Sequence, residues 1–263
     1  MPRVVPVLLI LLAVALAASL AWVFLAWSFP GARGEVAMEQ RALAPFTRIA
    51  IEGLVDATLV QGATESVTVE APSRQLPRVR TEVVDGTLAI GGGASRRWWS
   101  ELLGGSARPA RVTITYRELD GISAAGAVKV QAGRLKTDRL RVSASGATSL
   151  KIADLDTKLL SLTGSGAMKA EVAGRATEQR VAISGAGDYR AADLVSEDAR
   201  VAVSGAGNVV VRVEKTLRVG ITGAGSVEYL GDPTVTQQIS GAGRVRRREA
   251  AAERLEIASL FAG

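Results

Sequence analysis

One short phrase, Ser-Gly-Ala-Gly, recurs through the second half of this 263-residue sequence, as in VAISGAGDYR from 181 and VAVSGAGNVV from 201. One glycine of each copy can be used as a marker, and the spacings between markers are 20, 20, 21, 20, 18 and 18 residues. The marker glycines are Gly126, Gly146, Gly166, Gly187, Gly207, Gly225 and Gly243. A unit this short cannot enclose a core alone, so its copies must stack on one another.

Apolar side chains recur at every second position around each marker glycine. An aliphatic residue stands four positions before every marker, from Ile122 to Ile239, and charged residues such as Lys169 occupy the opposite parity. Period-two alternation is typical of β-strands, and no helical pattern interrupts it. The sequence therefore predicts an all-β protein, a right-handed parallel β-solenoid (β-helix) of about seven regular coils with irregular strands before them.

A hydroxyl side chain stands three residues before every marker glycine. We expect these hydroxyls to stack in line as a structural, hydrogen-bonded ladder, and the alternative is that some of them face a ligand. They are Ser123, Ser143, Thr163, Ser184, Ser204, Thr222 and Ser240. The marker glycines are expected to face inward, where a larger side chain would occupy space needed for the bend.

Alternating runs also precede the repeats, between residues 45 and 116. Asp85-Gly86 separates two of these runs and predicts a β-hairpin. At the other end, Arg247 occupies an inward position that is apolar, or alanine, in the other copies. We therefore predict that the solenoid spans 45–247 and that residues 248–263 form a cap or tail.

The N-terminal segment, residues 4–29, contains no charged side chain. As a helix it would span about 39 Å, more than the roughly 30 Å of a hydrocarbon core. Residues 1–30 are thus predicted to be a transmembrane signal anchor, or alternatively a signal peptide cleaved near Ser19-Leu20-Ala21, and residues 31–44 a tether. Trp22 and Trp27 favour the anchor. The predicted location is the cytoplasmic membrane, with the chain facing the periplasm or cell surface, or secretion if cleavage occurs.

Composition removes several classes of function. The chain has no cysteine and no histidine, so it lacks thiolate ligands, the commonest metal ligand and the commonest general base. We predict no catalytic residue, no metal and no cofactor. The net charge is +6, but basic residues cluster only at 244–248 and without aromatic neighbours, so no nucleic-acid partner is predicted.

Two places are candidates for ligand binding. The stretch 91–111, GGGASRRWWSELLGGSARPAR, matches no repeat, and its Arg96, Arg97, Trp98 and Trp99 either close the end of the core or contact a glycan, a lipid headgroup or a partner protein. Asp188 and Asn208 occupy the same place in adjacent repeats and would form a polar row on the sheet surface.

The phrases FTRIAIEGLVDATLVQG, SVTVEA and VVDGTLAI, followed in order by the Ser-Gly-x-Gly repeats, resemble the head GIN domain family of autotransporter adhesins over residues 45 to 245. The family's Gly-[Asp/Asn] element matches Gly187-Asp188 and Gly207-Asn208, and is lost at Gly146-Ala147. The resemblance implies an exported β-helical protein with a role in adhesion and no recognised catalytic site. We therefore predict a non-catalytic envelope module that binds a ligand or partner; the alternatives are a scaffold that contacts only proteins and a polysaccharide-active β-helix enzyme.

Overall fold

The computed structural model describes residues 36–73, 75–92 and 109–249. In these ranges the chain forms β-strands and one short 3₁₀ helix, Leu76–Arg78, so the all-β prediction is confirmed. The strands are β1 (Val36–Ala42), β2 (Arg48–Gln61), β3 (Ser66–Pro72), β4 (Val79–Val84), β5 (Thr87–Gly92), β6 (Ala110–Tyr116), β7 (Gly121–Gly205), β8 (Asn208–Gly223), β9 (Ser226–Leu230), β10 (Thr234–Gly241) and β11 (Arg244–Arg247).

The predicted N-terminal regions are only partly within these ranges. No helix in the described part of the chain is long and apolar enough to cross a membrane, and the apolar segment 4–29 lies outside that part. Residues 36–42, expected to belong to a tether, instead form β1 next to β3. Arg41 of β1 donates hydrogen bonds to the carbonyl oxygen of Val79 (2.8 Å) and to Thr81 Oγ1 (2.7 Å). These long-range bonds hold a segment whose composition alone indicates a tether.

Side chains alternate between core and solvent along the strands. In β2, Ile49, Ile51 and Val55 are buried, while Arg48 and Glu52 between and beside them are exposed. This alternation follows from the opposite orientation of successive side chains in a strand. The core is consequently built mainly of aliphatic side chains from β2, β3 and β5 to β9, whereas β1, β4, β10 and β11 contribute no fully buried side chain.

The strands form one sheet in which most neighbours are parallel. β2 pairs with β7, β7 with β8, β8 with both β9 and β10, and β9 with β11, all in parallel. Leu217 of β8 is the register partner of Ala199 and also of Val235. The repeat length of 18 residues therefore places equivalent residues side by side on neighbouring strands.

β7 is one continuous run of 85 residues. Successive segments of this run, 19 or 20 residues apart, lie next to each other. A Cβ atom on Gly146 would lie 2.7 Å from the carbonyl oxygen of Gly126, and one on Gly205 would lie 2.7 Å from that of Gly185. The same close contact continues through what we call the glycine row: Gly53, Gly126, Gly146, Gly166, Gly185, Gly205, Gly223 and Gly241. All members have a positive φ, a conformation that L side chains rarely adopt.

The stacking register differs from the expected one at a single step. Gly166 is in contact with Gly185, not with the marker Gly187. Ser184 therefore follows Ser165 in the stack, and Thr163 is followed by Ala182. The reason is that the bend needs glycine at positive φ, and this position is the marker itself in early copies but lies two residues before it in later ones.

The prediction of a single ladder of seven hydroxyls is accordingly wrong, because the hydroxyls fall into two adjacent rows. One row contains Ser123, Ser143 and Thr163, and the other contains Ser184, Ser204, Thr222 and Ser240. All seven are exposed. The marker glycines divide in the same way: Gly187, Gly207 and Gly225 are buried and Gly243 is half-buried, whereas Gly126, Gly146 and Gly166 belong to the glycine row.

The hairpin predicted at Asp85-Gly86 is present. β4 and β5 are antiparallel, and Val84 pairs with Thr87 across the turn. Asp85 (φ 48°) and Gly86 (φ 69°) both adopt positive φ, as a tight two-residue hairpin turn requires. β3 and β6 are likewise antiparallel, so the first part of the chain departs from the parallel repeats as expected.

The Tyr116 hydroxyl is buried and has no hydrogen-bond partner within the described residues. Burial raises the pKa of Tyr116 to about 12. In the unfolded chain a tyrosine ionises near pH 10, so the folded state binds the proton more tightly. This contribution to stability is complete below pH 10 and is lost as the pH rises from about 10 to about 12.

We expect the free energy of unfolding to fall above pH 10, and the Tyr116→Phe variant to fall less steeply, by on the order of 1 kcal/mol per pH unit. Urea unfolding at pH 8, 9, 10 and 11 measures both slopes. Equal slopes for the wild type and Tyr116→Phe would show that the Tyr116 hydroxyl does not ionise on unfolding.

Candidate functional site

One outward face of the sheet carries charges of both signs that pair with each other. Lys169 Nζ lies 3.1 Å from Glu171 Oε1, and Lys151 and Arg190 each approach the Glu171 carboxylate to 3.9 Å. The hydrogen bond from Lys169 holds the pKa of Glu171 below its ordinary value. We call this the charged face, and its residues are Lys151, Lys169, Glu171, Asp188, Arg190, Glu228 and Arg246. Its charges are largely neutralised by one another.

Asp188 and Asn208, the polar pair predicted from the sequence, lie on the charged face. They are register partners on β7 and β8, so the structure brings them together. Arg190 Nη2 lies 2.7 Å from Asp188 Oδ2, and only 32% of the Asp188 side chain is exposed. With Thr148 and Lys169 they line an open depression of about 420 Å³. The carboxylate of Asp188 is therefore engaged by its neighbour before any ligand arrives.

The other predicted ligand-binding residues, Arg96, Arg97, Trp98 and Trp99, lie outside the described residues. Within the described ranges, no group of three or more acidic side chains is placed to hold a metal ion.

A second outward face carries three arginines in line, which we call the arginine row: Arg180, Arg200 and Arg218. Arg200 and Arg218 are register partners on β7 and β8. Arg180 precedes Arg200 by the same 20 residues that separate the stacked Gly185 and Gly205. All three side chains are exposed. Because neighbouring strands lie roughly 4.8 Å apart, the row places three like charges on consecutive strands.

The acidic groups beside the arginine row do not pair equally with its three arginines. Glu178 accepts two hydrogen bonds from Arg180, at 2.8 and 3.1 Å, and these hold the pKa of Glu178 below its ordinary value. Arg200 Nε is 3.9 Å from Glu178 Oε1. The Arg218 side chain has no hydrogen bond or ion pair with any described residue. Positive charge thus exceeds its local compensation toward the Arg218 end of the row.

An open groove of about 460 Å³ runs beside the arginine row. Its floor is formed by the small residues Ala182, Ala202 and Gly220, so the arginines stand above it along one side. Hydroxyl and amide side chains lie toward the two ends of the groove: Ser161, Thr163, Thr236 and Gln238. The groove crosses five neighbouring segments of the sheet.

The arginine row is not among the candidates selected from the sequence, although its signal is present there. Each of its arginines stands seven residues before a marker glycine, namely Gly187, Gly207 or Gly225. The pattern of apolar residues and glycines does not reveal this regularity, because one exposed arginine in a repeat is ordinary. What distinguishes the row is that the register aligns its members on adjacent strands.

The order of these strands and repeats matches a known family. The family model described as "Putative auto-transporter adhesin, head GIN domain" matches residues 45–233. The chain belongs to the head GIN domain family. The resemblance noted in the sequence is therefore confirmed, and the match covers the arginine row and, except for Arg246, the charged face of this head GIN domain.

Solved structures share the fold of this head GIN domain. A "putative adhesin" from Bacteroides fragilis has a TM-score of 0.74 and 21% identity, covering 81% of this chain and 97% of that one. A "putative adhesin" from Parabacteroides merdae has a TM-score of 0.59 and 19% identity, with 82% and 98% covered. A "putative lipid binding protein" from Parabacteroides distasonis has a TM-score of 0.65 and 19% identity, also with 82% and 98% covered. These identities establish the fold alone. No functionally curated protein matches the chain.

Proposed function

We propose that this head GIN domain is a non-catalytic binding module of the cell envelope, which contacts a glycan or an envelope protein through its sheet surface. The observation that carries the proposal is the open groove beside the arginine row, which crosses five segments of the sheet. Small-molecule sites are usually enclosed clefts, whereas an open groove along a sheet suits an extended ligand. Membership of a family described as adhesins supports the same role.

The architecture that presents this groove is, in our proposal, a right-handed parallel β-solenoid of about seven regular coils between residues 45 and 247. Parallel pairing between segments 18 to 20 residues apart and the glycine row support it. The right hand is the one that parallel crossovers adopt almost without exception. Residues 248–263 would cover its end, beyond the last described strand at Arg247.

Export is part of the proposal. The uncharged segment 4–29 would carry the domain across the cytoplasmic membrane and anchor it there, or be cleaved to release it. A module that faces the periplasm or cell surface meets polysaccharides and envelope proteins, which are the partners that an open binding surface of this kind would use.

Further contacts are proposed at the residues selected from the sequence. Asp188 and Asn208 lie side by side on the charged face, and the segment with Arg96, Arg97, Trp98 and Trp99 combines guanidinium groups with aromatic rings. Aromatic rings next to cationic groups are frequent in binding surfaces.

The second candidate function is an envelope scaffold that contacts only proteins. The observation in its favour is the charged face, where Lys169, Glu171, Asp188 and Arg190 neutralise one another and leave little charge for a ligand. Such a surface stabilises the repeats without recruiting anything. A polysaccharide-active enzyme is the remaining alternative, and it would require turnover of a bound glycan.

The full chain, purified in mild detergent and immobilised, should retain a selective subset of bacterial and host glycans on an array of neutral and acidic structures. The controls are the same chain after heat unfolding and a surface with detergent alone. Loss of retention in Asp188→Ala would assign the contact to the charged face, and loss in Trp98→Ala to the segment outside the described ranges.

Absence of retention for every glycan would contradict glycan binding by the module and favour the protein scaffold. Shortening of a retained glycan over hours would contradict the non-catalytic part.

A further inference from the structure

We infer that the arginine row and its groove bind an acidic polysaccharide, a linear chain whose carboxylates recur along its length. This inference rests on the proposed function and names its ligand class.

The first observation is the alignment of like charges. Arg200 and Arg218 are directly opposite each other on parallel strands, and like charges at such positions destabilise a sheet. On the charged face, by contrast, Glu171 lies among Lys151, Lys169 and Arg190, so opposite charges meet. The same sheet thus follows the pairing rule on one face and breaks it on the other. Departures of this kind are expected where a surface serves a ligand.

The second observation is how the guanidinium groups are used. Arg180 is occupied by a two-pronged contact with Glu178, which also approaches Arg200 to 3.9 Å. Asp198, the other acid on this side, accepts a hydrogen bond from Thr216. Arg218 is left with no partner in the described part of the chain. Arg200 and Arg218 therefore offer planar donor groups to an anion, while Arg180 is held in position beside them.

The third observation concerns the shape and polarity of the groove. Its floor of Ala182, Ala202 and Gly220 admits a flat, extended chain over several strands, and hydroxyl side chains lie at its ends. The large hydrophobic residues exposed in the described ranges, such as Val60 and Val84, do not line it. An anionic membrane surface is normally met by basic residues together with inserted apolar ones. Leu162, Val181, Val201 and Val219 also line the groove, but they are buried and do not project from it. The groove fits the acidic polymer better, because guanidinium and hydroxyl groups stand beside a floor that has no exposed apolar wedge.

The probe for the test is an oligogalacturonate of about ten sugars, with the fully methyl-esterified oligosaccharide as its neutral counterpart. Binding to the full chain in mild detergent is measured by titration calorimetry at low and physiological salt. We expect the acid form to bind, the ester not to bind, and affinity to fall as salt rises, because the contacts are ionic.

The decisive variant is Arg200→Gln with Arg218→Gln, compared with Arg134→Gln and Arg175→Gln, which remove the same charge from exposed positions away from the groove. We expect the first pair to weaken binding of the acid form at least tenfold and the second less than twofold. Both pairs should unfold at the urea concentration of the wild type or above it, which shows that the fold is intact.

Equal binding by the wild type and the Arg200→Gln, Arg218→Gln variant would overturn the inference. It would also be overturned if the wild type bound vesicles of phosphatidylglycerol but not the oligogalacturonate. If the chain retains only neutral glycans on the array, this inference fails and the proposed function stands; if it retains none, the inference and the glycan-binding part of the proposed function both fail.

Discussion

Replacing Gly205 by alanine should lower the free energy of unfolding by about 3 kcal/mol or more. Gly205 has φ +121°, and a Cβ atom there would lie 2.7 Å from the carbonyl oxygen of Gly185. The left-handed backbone is strained for any L side chain, and the obstructing atom belongs to the backbone, which cannot rotate away. Relief would require separating two strands of the sheet. Urea unfolding followed by circular dichroism measures the loss.

The matched control is Gly133→Ala in the same strand, β7. A Cβ atom on Gly133 has no neighbour within 4 Å, and its φ is ordinary. We expect a change of less than about 0.5 kcal/mol, with a slight gain allowed because alanine restricts the unfolded chain. If Gly205→Ala and Gly133→Ala unfold at the same urea concentration, the close backbone contact in the glycine row is not needed for the stability of the stacked segments.

The Gln179→Leu substitution should also destabilise the protein, by about 2–4 kcal/mol. Gln179 is fully buried; its Oε1 accepts a hydrogen bond from the Tyr189 hydroxyl (3.1 Å), and its Nε2 donates to Ser196 Oγ (2.6 Å). Ser196 in turn donates to the carbonyl oxygen of Arg212 (2.8 Å). Leucine keeps the volume but leaves the Tyr189 hydroxyl buried without a partner.

A double-mutant cycle separates hydrogen bonding from packing. Tyr189→Phe removes the hydroxyl that Gln179→Leu leaves unpaired, so the double variant should lose less than the sum of the two single losses, by about 1 kcal/mol. Tyr116→Phe is the control, because the Tyr116 hydroxyl has no partner in the described residues and its removal should cost nothing. Strict additivity of the two single losses would show that the network contributes no coupled energy.

The parts of the fold that depend on local pattern could be predicted. The Asp85-Gly86 hairpin follows from two residues that tolerate positive φ, and the buried parity of β2 follows from its alternation. The step from Gly166 to Gly185 could not be predicted, since both Gly185 and Gly187 are glycines and the sequence offers two equivalent alignments. In the folded chain the backbone of Gly185, not that of Gly187, is in contact with Gly166. This shift of two residues at one step divides the hydroxyl side chains into two rows.

The candidate site shows the same division. The spacing of the marker glycines predicts that Asp188 and Asn208 are side by side, and the register agrees, because both belong to copies after the uncertain step. The partner of Asp188, however, is Arg190 in its own strand, and no spacing rule shows that its carboxylate is already occupied. The sequence does not single out the arginine row, because its members differ from other exposed arginines only in the residues that surround them in the folded chain.

By itself, the sequence determined the β class, the stacking of short repeats and the family, since these depend on parity, repeat length and the order of motifs along the chain. The tertiary structure alone decided which glycine supports each bend, which charges meet on the charged face, and that Arg218, beside Arg200, has no partner among the described residues. These depend on register and on the reach of side chains between neighbouring strands, and residues 18 to 20 positions apart become neighbours only when the chain has folded back on itself.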